Sequence, residues 1–160
     1  MDRENRPRAL LQYLGIAEAL KDLSLHMPCR YAAIFEVQDG DLVNRYFHDK
    51  RGEPRPAFIA RVPFKDSFCH LALRDGELRC ANSATDSRMD YSPYKGLMLA
   101  YHAVPILDPQ RSLKATLCVF DEEEVDLSDE QFARLALLAS LLPPFLEAER
   151  QPGAWRARQP

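Results

Sequence analysis

The stretch LAYHAVPILDPQRSLKATLCVFD, residues 99–121, decides the fold. It contains two apolar runs, Leu99–Leu107 and Leu113–Phe120, joined by the turn-forming segment DPQRS at residues 108–112. In both runs the two alternating faces are largely apolar, which is typical of strands that are covered on both sides. The sequence therefore predicts a β-hairpin in the middle of a sheet, with further structure packed on each face.

The composition narrows the class of protein. The 160 residues are 46% hydrophobic and 28% charged, which suits a single soluble domain. The net charge of −3 provides no general attraction for nucleic acid or an anionic membrane, and no apolar run approaches the ~20 residues of a membrane span. The charged N-terminus lacks the apolar segment of a signal peptide. We therefore expect a cytoplasmic protein whose partners are neither nucleic acids nor membranes.

The N-terminal residues predict a helix followed by a hairpin. Residues 8–25 place a stripe of apolar side chains at helical spacing: Leu10, Tyr13, Leu14, Ala17, Leu20 and Leu23. Gly15 weakens this helix without breaking its period, so we expect one continuous helix. Strand-like segments follow at Tyr31–Val37 and Leu42–His48, and Asp39-Gly40 between them is a strong hairpin signal.

The middle of the chain predicts short elements. Phe58–Val62 and Glu77–Ala81 suit short strands, and Asp66–Arg74 suits a short helix. Residues 82–96 are too polar and irregular for a core element. We expect them to form a loop with a helical turn, packed over the sheet.

The C-terminal part predicts a second helical region. Ser128 and Gln131 have the spacing of a capping box, and Pro143-Pro144 should kink or restart the helix that they begin. The order of elements predicts an α+β fold: a central antiparallel sheet of five to six strands, with the N- and C-terminal helices on one face and covering loops and short helices on the other. Such an arrangement leaves a space between sheet and loops that suits a small molecule.

Several motifs in the expected order resemble those of GAF domains. The segment PFKDSFCHLAL, residues 63–73, resembles the covering helix of the family in the version found in bacterial sensor proteins, and residues 77–86 resemble the strand and loop that follow it. Residues 101–107 and 113–121 resemble the central strands of the family, and residues 127–141 its closing helix. The resemblance covers residues 8–148, which we expect to form one domain, followed by a flexible tail at residues 149–160.

The resemblance implies a PAS-related fold and a non-catalytic sensory or regulatory role in signal transduction. GAF domains bind cyclic nucleotides, bilins, haem, 2-oxo acids or other small molecules, so the resemblance leaves the ligand unidentified and names no cofactor. The apolar stripes of the two terminal helices predict a homodimer through these helices, and the resemblance implies that it acts on a signalling partner or through a missing output domain. A GAF fold with a filled pocket, serving as a dimerisation or protein-interaction module, is the alternative.

One branch of the GAF family is enzymatic, the free methionine-(R)-sulfoxide reductases. Their pattern has two cysteines about two dozen residues apart. Cys69 matches the first, but the second would fall in YSPYKG, residues 91–96, which contains no cysteine. We therefore expect no enzyme. Residues 82–100 also lack the cysteine and histidine that bilin-binding and haem-binding members carry in this loop, which disfavours both cofactors.

The resemblance implies a ligand site drawn from the first hairpin, the covering helix, the loop and the central hairpin. The candidate residues are Phe35, Phe47, Phe68, Cys69, Asn82, Tyr94, Tyr101, Thr116 and Cys118. Ordinary core packing is the alternative explanation for each of them. Arg45, Arg61 and Arg79 would suit an anionic ligand if they pointed inward, and His102 would contribute if its strand turned it toward the pocket.

The cysteines suggest neither a disulfide framework nor a metal site. Cys29, Cys69, Cys80 and Cys118 are widely spaced and include no CxxC pair. Adjacent helical residues point about 100° apart, so Cys69-His70 does not form an activated pair by itself, and we expect Cys69 to be a packed thiol. His26-x-x-Cys29 has the spacing of half a metal site, but no second pair accompanies it.

Overall fold

The structure is a computed structural model that describes residues 5–108 and 114–150. Its helices and strands follow in this order: α1 (Asn5–Tyr13), α2 (Ile16–Leu25), β1 (Tyr31–Gln38), β2 (Asp41–Asp49), β3 (Arg61–Pro63), α3 (Cys69–Asp75), β4 (Leu78–Cys80), β5 (Ala100–Leu107), β6 (Lys114–Asp121), α4 (Asp129–Leu141) and α5 (Pro143–Arg150). Short 3₁₀ turns lie at Ala57–Ile59, Phe64–Asp66, Ser83–Thr85 and Ser87–Met89. None of the described helices is long and apolar enough to cross a membrane.

The six strands form an antiparallel sheet in the order β3-β2-β1-β6-β5-β4. β5 pairs with β6 from Ala100 opposite Asp121 to Leu107 opposite Lys114. β6 also pairs with β1, so both strands of the hairpin have neighbours on each side. The prediction of a hairpin inside an α+β sheet is therefore confirmed. Its turn, at residues 109–113, lies outside the described residues.

The turn between β1 and β2 follows from its sequence. Asp39 has a φ of 52° and Gly40 a φ of 80°. Two consecutive positive φ angles match the twist of the strands that the turn joins, and Asp-Gly tolerates them better than most residue pairs. The hairpin predicted from Asp39-Gly40 is confirmed.

Two hydrophobic clusters cover the two faces of the sheet. The terminal helices pack on one face, where they bury Ile34, Leu117 and Val119. α3 and the loops around it cover the other face, where they bury Cys118 and Phe120. Because neighbouring residues in a strand point to opposite faces, a strand covered on both sides is apolar throughout. The predicted distribution of helices and loops is thus confirmed.

The N-terminal segment is not one continuous helix, contrary to our expectation. Gly15 adopts a φ of 99° and a ψ of 177°, a backbone conformation that is essentially restricted to glycine. α1 therefore ends at Tyr13, and α2 begins at Ile16. As a consequence, the predicted stripe is interrupted: Tyr13 is 75% exposed and Leu14 is 64% exposed.

The C-terminal helices begin where their sequence signals predict. The hydroxyl of Ser128 accepts a hydrogen bond from the backbone N–H of Gln131 at 3.1 Å, and the Gln131 side chain accepts one from the backbone N–H of Ser128 at 2.9 Å. The helix restarts at Pro143 as predicted. Helical structure continues to Arg150, past the domain end that we placed at residue 148; residues 151–160 of the predicted tail lie outside the described residues.

Candidate functional site

A cavity lies between the sheet and the layer that covers it. Its floor is formed by four side chains of the sheet: Phe35, Leu42, Tyr101 and Phe120. The remaining lining comes from β3 and from the loops and turns of the covering layer: Phe58, Ile59, Val62, Ser67, Phe68, Tyr94, Leu97 and Met98. The cavity volume is about 50 Å³. The structure thus places a small opening where the element order predicted one.

The residues that line the cavity are almost all aliphatic or aromatic, and three of them, Ser67, Tyr94 and Tyr101, carry a hydroxyl group. The Ser67 hydroxyl already donates to the carbonyl of Phe64 at 2.8 Å, and the Tyr101 hydroxyl is engaged by two thiols. The Tyr94 hydroxyl makes no hydrogen bond within the described residues. Burial, together with the Asp66 carboxylate, raises the pKa of Tyr94, so this hydroxyl is neutral at pH 7 and able to donate to a ligand.

The mouth of the cavity exposes large apolar side chains. Phe58 is 53% exposed and Leu97 is 65% exposed, although both line the cavity. Single exposed apolar residues are common on protein surfaces, but two beside one opening extend the apolar cavity toward solvent. A ligand that entered here would contact apolar surface before it reached the floor.

A row of aromatic rings crosses the face of the sheet beneath the covering layer. Tyr31 stacks on Phe120 with ring centroids 5.2 Å apart, and Phe120 stacks on Tyr101 at 5.2 Å. Phe68 of the covering layer meets Tyr101 edge to face at 5.4 Å, and Phe47 contacts Tyr31 at 5.6 Å. These distances lie in the favourable range for aromatic pairs. The row fixes the position of Tyr101 at the cavity floor.

Three buried side chains, those of Cys69, Thr116 and Cys118, lie near the hydroxyl of Tyr101. We call these four residues the thiol cluster. The Tyr101 hydroxyl oxygen lies 3.0 Å from Sγ of Cys69 and 3.3 Å from Sγ of Cys118. The hydroxyl of Thr116 donates to Sγ of Cys69 at 3.0 Å. Thr116 and Cys118 are two residues apart on β6 and therefore face the same way, toward the start of α3.

The four cysteines are all free and buried, but their surroundings differ. Burial opposes ionisation of Cys69, yet hydrogen bonds within the thiol cluster, among them the one that the Thr116 hydroxyl donates, lower the pKa of its thiol below the ordinary value. Burial raises the pKa of Cys29 and of Cys80 to about 12 in each case. Burial and the neighbouring Cys69 also raise the pKa of Cys118. Cys69 is therefore the cysteine whose surroundings best support a thiolate.

The structure separates the nine candidate residues into groups. Phe35, Phe68, Tyr94 and Tyr101 line the cavity. Cys69, Thr116 and Cys118 are buried in the thiol cluster and do not line it. Two more candidates lie elsewhere. Phe47 packs against Tyr31, and the Asn82 side chain caps a 3₁₀ turn and donates to Glu124 at 3.0 Å.

The sequence reasoning missed most of the covering side of the cavity. Phe58, Leu97 and Met98 lie in loops whose path over the sheet depends on long-range packing. One local signal was present: Phe58 and Leu97 are large apolar residues within segments that are otherwise polar or irregular. Such residues are candidates for a binding surface.

The three arginines considered for an anionic ligand do not line the cavity. Arg45 pairs with Glu36 and lies 3.1 Å from a carboxylate oxygen of Glu149. Arg61 and Arg79 make ion pairs of 2.7 Å and 3.0 Å with aspartates at the protein surface. The described residues therefore bring no arginine into the cavity.

The histidines also lie away from the cavity. His102 faces the side of the sheet covered by helices, where its Nε2 lies 2.9 Å from the carbonyl oxygen of Val125 and burial lowers its pKa. His70 packs against the rings of Phe64 and Tyr91, whereas the hydrogen bonds of Cys69 go to the thiol cluster. Within the described part of the chain, no group of three or more His, Cys, Asp or Glu side chains could hold a metal ion.

The comparisons with known proteins identify the fold. The sequence matches no family model and no curated protein. The structure matches the GAF domain of an Acinetobacter phosphoenolpyruvate-protein phosphotransferase, with a TM-score of 0.73 and 13% identity over 93% of each chain. The domain has the GAF fold. The resemblance that the sequence motifs indicated is therefore confirmed at the level of the fold.

Other solved structures with the GAF fold differ in what they do. One is a phycocyanobilin-bound GAF domain from a cyanobacterial phytochrome, with a TM-score of 0.70 and 12% identity over 95% of this chain and 98% of that one. Another is the free methionine-R-sulfoxide reductase of Neisseria meningitidis in complex with its substrate, with a TM-score of 0.72 and 16% identity over 92% and 88%. Because a ligand-binding domain and an enzyme match equally well, the fold alone does not decide the function.

Proposed function

We propose that this GAF domain is a non-catalytic regulatory domain of the cytoplasm that senses a small molecule bound in the cavity. The observation on which this rests is the apolar cavity between the sheet and its covering layer, with the neutral hydroxyl of Tyr94 as an available hydrogen-bonding group. Ligand sites are commonly apolar hollows with a few polar groups that orient the ligand. The phycocyanobilin-bound GAF domain shows that a domain with this fold can bind a small molecule.

The lining favours a compact and uncharged ligand. A cavity of about 50 Å³ holds only a few water-sized groups, at roughly 10–15 Å³ each. Transfer of an anion into an apolar site without a paired cation is costly, and Arg45, Arg61 and Arg79 pair with carboxylates away from the cavity. A small aromatic or aliphatic molecule with one polar group fits these constraints. A larger ligand requires the covering layer to move.

The placement of cysteines supports a non-catalytic role. The sequence has no cysteine between Cys80 and Cys118, the interval in which the second cysteine of the sulfoxide reductase pattern would fall. Cys69, which matches the first cysteine of that pattern, is completely buried. Sulfoxide reduction at the cavity would therefore lack the second cysteine of that pattern.

We propose that the signal passes through a homodimer formed by the terminal helices, with a signalling protein as the further partner. Large apolar side chains are exposed at the end of α1 (Tyr13), directly after it (Leu14) and at the end of α2 (Leu25). Light scattering at tens of micromolar protein should show a dimer, and Leu14→Glu combined with Leu25→Glu should convert it to a monomer. A monomeric wild-type protein would contradict this part of the proposal.

The small size of the cavity also favours a second candidate function. The stacked rings of Tyr101 and Phe120 form part of the floor, and the cavity above them has a volume of only about 50 Å³. A GAF domain with a filled pocket would serve as a dimerisation or protein-interaction module. The two candidates differ in whether any small molecule occupies the cavity.

The deciding experiment combines native mass spectrometry with thermal unfolding. The intact mass of the protein purified from its source cells is measured first. Its thermal unfolding midpoint is then measured with neutral aromatic and aliphatic compounds, nucleotides, 2-oxo acids and small anions. A ligand at about 100-fold over its Kd should stabilise the folded state by roughly 2.7 kcal/mol. A retained mass or a raised midpoint with neutral compounds supports the sensor, whereas no mass and no shift supports the interaction module.

Two exposed leucines provide a matched pair of variants for this screen. Leu97→Ser at the cavity mouth should weaken binding of any ligand found, and Leu25→Ser on α2, which is 69% exposed and does not line the cavity, should not. Equal loss of binding in both variants would place the ligand outside the cavity.

A further inference from the structure

We propose that Cys69 and Cys118 form a peroxide-responsive thiol pair, which oxidises to a disulfide between α3 and the central strand β6. This would be a site of reversible modification in addition to ligand sensing. It does not depend on whether the cavity binds a ligand. The argument rests on the arrangement of the thiol cluster and on its position next to the cavity.

The two sulfur atoms are neighbours around a single oxygen atom. The Tyr101 hydroxyl lies 3.0 Å from Cys69 Sγ and 3.3 Å from Cys118 Sγ, while the thiol of Cys118 donates to the carbonyl of Ala33 at 3.5 Å. The two cysteines come from different elements, at the first residue of α3 and in the middle of β6. Tertiary folding therefore assembles a pair that the sequence separates by 48 intervening residues.

The two thiols differ in how readily they ionise, and a reacting pair requires such a difference. A thiolate attacks peroxides, whereas a thiol does not. The Thr116 hydroxyl donates to the sulfur of Cys69 at 3.0 Å, and the Tyr101 hydroxyl lies 3.0 Å from the same atom, so both groups stabilise negative charge there. Cys69 is therefore the attacking residue, and Cys118 is the thiol that resolves the oxidised product. Redox-sensitive cysteines commonly have both features, a favoured thiolate and a resolving cysteine beside it.

The cavity provides the route by which an oxidant reaches these buried sulfur atoms. Cys69 and Cys118 are completely buried, but the ring of Tyr101 lines the cavity while its hydroxyl contacts both thiols. Phe68, the residue before Cys69, also lines the cavity. A volume of about 50 Å³ accommodates hydrogen peroxide, which is comparable in size to two water molecules. Access of the oxidant to Cys69 requires the Phe68 ring to move aside, because stacking on Phe120 holds Tyr101 in place.

The reaction proceeds in two balanced steps. The thiolate of Cys69 attacks the terminal oxygen of the hydroperoxide, the O–O bond breaks, and after protonation the products are a sulfenic acid on Cys69 and water or an alcohol. The Cys118 sulfur then attacks the sulfur of the sulfenic acid, the S–O bond breaks, and water leaves. Overall, two thiols lose two hydrogen atoms and the hydroperoxide is reduced. A thiol reductant reverses the reaction by disulfide exchange.

The experiment compares the four cysteines within one molecule. Reduced protein is treated with hydrogen peroxide, the remaining thiols are alkylated under denaturing conditions, and the peptides are identified by mass spectrometry. We expect a Cys69–Cys118 disulfide, 2 Da lighter than the two thiols, while Cys29 and Cys80 are alkylated. Because Cys29 and Cys80 are also buried, they show whether general unfolding exposes thiols.

Two variants separate the steps. Cys118→Ser should stop the reaction at the sulfenic acid of Cys69, which dimedone traps, and Cys80→Ser should leave the disulfide unchanged. The proposal is overturned if Cys69 oxidises no faster than Cys29 and Cys80, or if its disulfide forms only between two molecules. If either variant fails to fold, the comparison of the four cysteines in the wild-type protein decides the question alone.

Discussion

The hydroxyl of Tyr101 lies 3.0 Å from Sγ of Cys69, while the ring of the same tyrosine forms part of the cavity floor. One side chain thus joins the candidate ligand site to the thiol cluster. Because Tyr101 also stacks on Phe120, it cannot shift without disturbing both regions. A ligand that displaced Tyr101 would change the hydrogen bonds of Cys69.

Tyr101→Phe tests this connection, because it keeps the ring at the cavity floor and removes the hydroxyl. We expect the free energy of unfolding to fall by about 1 kcal/mol, the usual contribution of one hydrogen bond. The Cys69 thiolate loses one of its donors, so its pKa should rise and its reaction with peroxide should require a higher pH. The measurement is the rate of Cys69 oxidation as a function of pH.

Tyr31→Phe is the matched control for that variant. The Tyr31 ring stacks on the other side of Phe120 at 5.2 Å, and its hydroxyl donates to Glu122 at 2.6 Å rather than to a thiol. This variant should lower the free energy of unfolding by a similar amount but leave the pH dependence of Cys69 oxidation unchanged. A shift of equal size in both variants would mean that loosening of the aromatic row, and not the hydroxyl of Tyr101, controls the thiol.

The ion pair between Arg30 and Asp49 predicts a loss of stability in acid. Arg30 donates two hydrogen bonds to the Asp49 carboxylate, at 2.8 Å and 2.9 Å, and these lower the pKa of Asp49 from 3.8 to about 2. The folded protein therefore binds this proton less readily than the unfolded chain does. The stabilisation from the pair is complete above about pH 4 and is lost as the pH falls toward about 2.

Asp49→Asn should show this effect in urea unfolding measured between pH 7 and pH 2. At pH 7 the variant should be less stable than wild type by roughly 2 kcal/mol, since a charge-assisted hydrogen bond is lost, and the difference should shrink below pH 4. Asp41→Asn is the control, because its partner Arg61 is 53% exposed and an exposed pair contributes less than about 1 kcal/mol. A constant difference across the pH range for Asp49→Asn would contradict the prediction.

The capping box at the start of α4 predicts that two exposed serines of this region contribute differently to stability. Ser128→Ala removes the acceptor for the Gln131 backbone N–H and should lower the free energy of unfolding by about 1 kcal/mol. Ser140→Ala lies inside the same helix, where the serine hydroxyl only donates to the carbonyl of Leu137. It should change stability by less than about 0.5 kcal/mol. Chemical denaturation of the two variants beside wild type measures both values.

Local sequence patterns predicted the sheet and its two covered faces, since strand alternation and turn residues act over a few positions. Asp39-Gly40 and the Ser128 capping box needed no knowledge of the rest of the chain. The cavity was harder to predict because its lining includes Phe58 and Leu97, whose loops are positioned by tertiary packing. The four residues of the thiol cluster were among the candidates, but their mutual contacts were not predicted, because Cys69 approaches Cys118 only after α3 has packed on the sheet.

The break between α1 and α2 predicts that two glycines respond differently to substitution by asparagine. Gly15 has a φ of 99° and a ψ of 177°, which asparagine rarely adopts, whereas Gly76 at the end of α3 has a φ of 91° and a ψ of −17°, in the left-handed region that asparagine tolerates. At neither position would an added Cβ meet another atom within 4 Å. The expected difference therefore comes from the backbone and not from crowding.

Gly15→Asn should lower the free energy of unfolding by roughly 1–3 kcal/mol, and Gly76→Asn should lower it by less than about 1 kcal/mol. Thermal and urea unfolding measure both values. Equal decreases would mean that the conformation of Gly15 does not determine where α1 ends.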